Sequence, residues 1–219
     1  MIRSRFLKLV TAAVVATTVL AVAVPQGAFA ATEIKVAGST TVQPLAQQWA
    51  TAYKKVKPAV SVVVAGGGSS VGFTNVDKGI VDIGMSSRDP KAGFESGLTK
   101  FVVAKDAVAV VVNPGNTVRK LTAAQVKDIY TGKITNWKAV GGPNATIVLC
   151  GRTGASGTYE FFKEKFLLGS RQSARTKAYA SNGMVRSAVA RNKYAVGYVS
   201  IAYVNTSVRG VSINGVAPT

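Results

Sequence analysis

The sequence predicts an α/β protein built as two lobes with a ligand cleft between them. Three observations carry that expectation. Short β-branched runs alternate with apolar residues at helical spacing. Glycine and serine turns stand where the strands hand over to helices. About 190 residues are enough to bury a core in one domain or two small lobes.

The amino terminus is set apart first. Arg3, Arg5 and Lys8 precede an apolar run from Leu9 to Val24, and Ala28-Phe29-Ala30 has the small-x-small pattern of a cleavage site. Residues 1–30 therefore read as a signal peptide cleaved after Ala30, leaving 189 of the 219 residues in a periplasmic or secreted protein. No cysteine lies near that point to carry a lipid, so stable membrane insertion is not expected.

From there the elements alternate. Ile34 to Ala37 is a strand ended by Gly38, and Leu45, Trp49, Ala52, Tyr53 and Val56 recur at helical spacing up to Pro58. Val60 to Ala65 is a β-branched run, Gly66-Gly67-Gly68 a turn, and Ser69-Ser70 open a short helix that stops near Gly79. Ile80 to Gly84 and Ala107 to Val112 are further strands, the second ended by Asn113-Pro114-Gly115. Thr122 and Gln125 are spaced as a capping box, Leu121 and Val126 stand at staple positions, and Gly132 can close that helix. A strand at Ile147 to Cys150, a helix from Ser156 to Leu168, a helix beginning near Ser181-Asn182 and a strand from Tyr194 to Val199 complete the pattern. The expected division is a first lobe at 32–112, a second at 113–199, and a segment at 200–219 returning toward the first. Extended stretches near Val108 to Val112 and Tyr198 to Val204 would join the lobes.

Beyond the three cations of the signal segment, 24 Lys and Arg face 9 Asp and Glu, a formal charge of +15. An anionic partner follows. The cations are scattered and the aromatics do not interleave with them, which argues against nucleic acid and for a small anion. A salt-sensitive polyanion-binding surface is the competing reading of the same charge. The chain has no histidine and one cysteine, Cys150, which excludes a Ser-His-Asp hydrolase and a thiolate metal cluster. No Ser-x-x-Lys spacing supports a lysine-assisted serine hydrolase, and Gly132-Lys133 lacks the glycine spacing of a nucleotide loop. The chain is therefore read as no enzyme, with no cofactor and no metal.

Four polar turns remain: Ser39-Thr40-Thr41, Ser69-Ser70, Ser86-Ser87-Arg88, and Arg152 with Ser156-Gly157-Thr158. A helix amino terminus presents unpaired N–H groups and partial positive charge, and hydroxyls add donors. Arg152 would supply a planar cationic fork for two oxygens of one tetrahedral anion. Singly, each turn is equally an ordinary helix cap; four at equivalent points of the topology form a candidate site.

These turns, in this order, resemble the phosphate-binding proteins of bacterial ABC phosphate importers, in the shorter form of the PstS family. The likeness runs from Ile34 to about Ile213 through Ala37-Gly38-Ser39-Thr40-Thr41-Val42, Gly67-Gly68-Ser69-Ser70-Val71-Gly72, Val81-Asp82-Ile83-Gly84-Met85-Ser86-Ser87-Arg88 and Ser156-Gly157-Thr158. It implies a type II periplasmic-binding-protein fold that closes over inorganic phosphate and delivers it to a membrane permease. By position it implies Ser39, Thr40, Ser70, Ser87, Arg152, Ser156, Gly157 and Thr158 as phosphate contacts, and Thr41, Ser69 and Arg88 as further phosphate-binding residues. Three departures stand out. Long members have aspartate at the position of Ser87, the acidic residue that usually follows the arginine is replaced by Thr153-Gly154-Ala155, and relatives continue beyond the point reached by Thr219, returning to complete the first lobe. Sulfate, molybdate and tungstate therefore stay open as alternative ligands.

Overall fold

A computed structural model describes residues 32–218; the export segment read at 1–30 lies outside the described residues. In chain order the elements are β1 (Thr32–Gly38), α1 (Gln43–Val56), β2 (Val60–Gly67), α2 (Ser69–Asp77), β3 (Ile83–Met85), β4 (Val108–Val112) and β5 (Lys120–Leu121). There follow α3 (Ala123–Thr131), β6 (Val148–Arg152), α4 (Gly157–Lys165), β7 (Lys177–Tyr179), α5 (Asn182–Ala190), β8 (Ala195–Ser200), β9 (Arg209–Gly210) and β10 (Ser212–Ile213).

The first sheet has the order β2-β1-β3 and is wholly parallel, with Val36 opposite Val64 on one side and Ile83 on the other. The second has the order β7-β6-β8-β4-β9; β6 runs parallel to β7 and β8, whereas β4 runs antiparallel to β8 and β9. A short parallel pair joins β10 to β5.

Two placements differ from the sequence reading. Val108–Val112, assigned there to the first lobe, pairs on both edges inside the second sheet. An alanine and four valines in succession have no polar face, so the strand needs cover on both sides, and Ala109 to Val112 are at most 2% exposed. Within residues 200–218, read as returning toward the first lobe, Tyr203 reaches the Thr40 carbonyl, while β9 and β10 pair with β4 and β5.

The second sheet carries the core. On one face Val110, Val112, Trp137, Tyr130, Phe162 and Tyr198 pack together, the Phe162 ring stacked 3.9 Å from Tyr198 and edge-on to Tyr130 at 4.9 Å. On the other, Val111, Val185, Val189 and Val199 enclose Cys150, whose thiol pKa is raised by burial. The α3 helix sits here with both bonds of its capping box formed, Gly132 in the left-handed region at its end, and Leu121 and Val126 buried.

The first sheet is less covered. Its buried apolar residues are Val36, Ala37, Met85 and, on α2, Phe73. The apolar stripe that announces α1 stays open to solvent, with Trp49 47% and Val56 72% exposed. Lys54 and Lys55 lie in the last turn of α1, where a positive charge suits the helix dipole.

Candidate functional site

Parallel strands deliver the turns that follow them to the same edge of their sheet, and the predicted donors meet beyond the carboxyl ends of β1, β2, β3 and β6. Arg152, the last residue of β6, is 3% exposed. Its backbone N–H donates to the Tyr198 hydroxyl at 3.0 Å, and its Nε donates to the Tyr179 carbonyl at 3.2 Å. Its Nη2 donates to the Ala180 carbonyl at 3.0 Å and to Thr40 Oγ1 at 3.1 Å. These bonds fix the plane of the guanidinium, while Nη1 is buried without a hydrogen-bond partner. Burial draws the Arg152 pKa down to about 10, opposed by the Tyr198 and Tyr203 side chains. A cation held this far from water gains most from a neighbouring anion.

The first-sheet donors close around it. Thr41 N–H donates to Ser39 Oγ at 3.2 Å, which tightens the turn after β1, and Thr41 Oγ1 lies 3.1 Å from Thr158 Oγ1. Ser87 N–H donates to Ser69 Oγ at 3.0 Å, and the two hydroxyls are 3.4 Å apart. Ser156 caps α4 by accepting from Tyr159 N–H. The next residue must be glycine: a Cβ on Gly157 would stand 2.4 Å from Ser69 Oγ and 2.7 Å from Ser87 Oγ. The start of α4 thus lies directly against the turns after β2 and β3. Ser70 N–H donates to the Ala155 carbonyl at 3.1 Å, a backbone bond between the same two parts.

Direct contacts therefore connect Thr40, Thr41, Ser69, Ser87, Arg152, Gly157 and Thr158, with Ser39 and Ser156 in the same turns. Arg88 has a different setting. Its Nη1 and Nη2 donate to Glu95 at 2.6 and 2.8 Å, its guanidinium lies 4.6 Å over the Phe73 ring, and Nη2 also donates to Ser70 Oγ at 3.3 Å. Its charge is matched by Glu95, whose carboxyl is held down to about 2 chiefly by the Arg88 hydrogen bond. Arg88 thus anchors Ser70 and the loop after β3. Glu160 on α4 completes this cluster, 2.7 Å from Lys91 Nζ and 3.6 Å from Arg88 Nε.

Sequence reasoning did not single out Asn182 or Tyr203. Asn182 is fully buried at the start of α5, with its Nδ2 donating to Thr40 Oγ1 at 3.3 Å and Thr41 Oγ1 at 3.0 Å. Tyr203 donates its hydroxyl to the Thr40 carbonyl at 2.6 Å. The signal for Asn182 was available, since Ser181-Asn182 is a fifth polar turn opening a helix; Tyr203 sits in a short 3-10 turn that leaves no periodic mark.

The model of the PBP superfamily domain matches residues 23–215, a stretch that contains every donor named above. The chain belongs to that superfamily, in its PstS branch. It is 33% identical over 189 residues to the phosphate-binding protein PstS of Bacillus subtilis, covering 84% of this chain and 63% of that relative. It is 30% identical over 198 residues to the phosphate-binding protein PstS of Borreliella burgdorferi, covering 85% of this chain and 71% of the relative. Among solved structures, a Clostridium perfringens substrate-binding protein with bound phosphate superposes with a TM-score of 0.82 at 39% identity, covering 85% of this chain and 78% of that one. The fold is the type II periplasmic-binding-protein fold of these relatives, and the chain spans just under two thirds of the length of the Bacillus protein.

Proposed function

We propose that the chain is an extracytoplasmic solute-binding protein that captures inorganic phosphate and presents it to the membrane permease of an ABC importer, and that it catalyses no reaction. The observation that carries this reading is the buried guanidinium of Arg152, with Nη1 unpartnered, set among the hydroxyls of Thr40, Thr41, Ser69, Ser87 and Thr158 and the amino terminus of α4. Such a ring of donors is matched by a small, multiply charged oxyanion. The names of the PstS relatives and the phosphate in the Clostridium structure support the choice among oxyanions. Among the described residues no helix is long and apolar enough to cross a membrane, and the export segment read at 1–30 accounts for an extracytoplasmic location.

Calorimetry of phosphate-stripped protein against phosphate, sulfate, molybdate and tungstate tests it. Phosphate is expected to bind tightest, and Arg152→Ala to lose well over about tenfold in affinity while keeping its cooperative unfolding, because the anion loses its fixed cation. Wild-type affinity in the alanine variant, or tighter binding of another of the four anions, would refute the reading.

A further inference from the structure

The hydrogen-bond geometry points to Asn182 as a positioning residue that holds the hydroxyl protons of the Thr40 and Thr41 turn toward the bound oxyanion; the inference rests on the function proposed above. The orientation of the Asn182 amide follows from its surroundings. Ser200 N–H is 3.2 Å from Oδ1, and because a backbone N–H only donates, the atom facing it must be the oxygen. The amide nitrogen then faces the turn after β1, where its two hydrogens reach Thr40 Oγ1 and Thr41 Oγ1.

The consequence lies in the valence of Thr40. Its Oγ1 is met by Arg152 Nη2 at 3.1 Å, Asn182 Nδ2 at 3.3 Å and Asn182 N at 3.4 Å. All three are nitrogens that can only donate. A hydroxyl oxygen has two lone pairs; the Arg152 and Asn182 side chains, the two shorter contacts, fill them, the backbone N–H at 3.4 Å is the weakest of the three, and the hydroxyl's own proton is left to be given elsewhere. Thr40 is buried, which makes a proton without an acceptor costly, and a neighbouring oxyanion satisfies it. Thr41 extends the relay. Its Oγ1 accepts from Asn182, and of the two protons of the Thr41 and Thr158 hydroxyls one is used between them, which leaves the other available to a ligand. Asn182 reaches this turn from α5, and Ser200, at the end of β8, fixes its amide. The donors of the first sheet are therefore oriented by the second.

A positioning role differs from a structural one in its coupling to the hydroxyl. Inorganic phosphate is titrated calorimetrically into stripped wild type, Asn182→Ala, Thr40→Val and the double variant. Each single substitution is expected to lower affinity by about tenfold or more, and the double variant by no more than about threefold beyond the worse single, because both remove the same donated proton. Losses that multiply would overturn the inference, as would Asn182→Ala with wild-type affinity. Asn182→Asp keeps an oxygen for Ser200 N–H but replaces the donor by an acceptor that also carries negative charge, so unchanged affinity in this variant, should the alanine variant not fold, speaks against the inference. The Thr40 proton then turns to the carboxylate, and the loss is expected to equal or exceed about tenfold. Affinity within about threefold of wild type would also overturn the inference. A wild type that binds none of the anions would remove the functional reading and this one with it, whereas the other adverse results remove this one alone.

Discussion

Arg152 is a cation with little water, and the residues around it decide which anion suits it. Two of its nitrogens are fixed by the carbonyls of Tyr179 and Ala180, so Arg152→Lys is expected to recover only part of the affinity lost in the alanine variant: an ammonium on a flexible stem cannot reproduce the held fork. In the function proposed above, Ser87 is the residue expected to set selectivity. Phosphate near neutral pH keeps a proton that must be donated, whereas sulfate has none and meets a carboxylate only with repulsion. The Ser87 hydroxyl, 3.4 Å from Ser69 Oγ, can rotate to accept from one or donate to the other. Ser87→Asp is therefore expected to widen the ratio of phosphate to sulfate affinity in competitive calorimetry at fixed pH and ionic strength. A wild type already as selective as the variant would mean that another acceptor reads the proton.

At the scale of the element, the loop after β3 is held by charge rather than by core. Arg88 and Glu95 are both nearly buried, and their fork-to-carboxylate pair ties the loop to Phe73 and Ser70. Glu95 has its pKa lowered from an ordinary 4.5 to about 2, so the stability it lends is fully present above about pH 4.5 and lost as pH falls through about 2. The linked contribution is at most on the order of 3 kcal/mol. Chemical denaturation as a function of pH is expected to show this slope in the wild type and a flatter profile in Glu95→Gln, with lower stability near neutrality because Arg88 loses its partner charge. Elements of this kind mark what was legible in the sequence. The α3 signals were complete because capping is local: Thr122, Gln125 and Gly132 act within a few residues of one another. The donor turns were legible for the same reason. The pairing of Arg88 with Glu95, seven residues on in an irregular loop, has no pattern to announce it. Ser181-Asn182 is legible as a polar turn opening a helix, but the contact of Asn182 with Thr40, 142 residues away, is not. β7, β9 and β10 are two or three residues each, too short to leave a period.

Across the whole molecule, apolar burial is distributed unevenly, and stability should follow it. The second sheet packs both of its faces, and Tyr130, Trp137, Phe162 and Tyr198 are each fully buried there. The first sheet has three strands, with Val63 and Ile83 about half exposed, and α1 buries none of its residues. Phe101, Val102 and Val103, on the path from the first sheet to β4, are 81%, 76% and 51% exposed. Each apolar Å² left in water forgoes roughly 25 cal/mol, so the first sheet has much less to lose when it opens. What holds it in place is chiefly the polar site: Thr40 to Arg152 and Asn182, Thr41 to Thr158, Ser70 to Ala155, and Lys91 to Glu160. Two consequences follow for native-state hydrogen exchange. The amides of Ile34 to Val36 and Val60 to Val64 are expected to exchange faster than those of Leu149 to Gly151, through a local opening that leaves the second sheet folded. Phosphate, bound as proposed at Arg152 and the α4 amino terminus, is expected to slow the first group much more than the second, since a ligand raises the cost of any opening that destroys its site. Equal protection of the two groups without phosphate would show that the first sheet is closed by contacts other than those seen here. Equal slowing of both by phosphate would mean that the two sheets open only together.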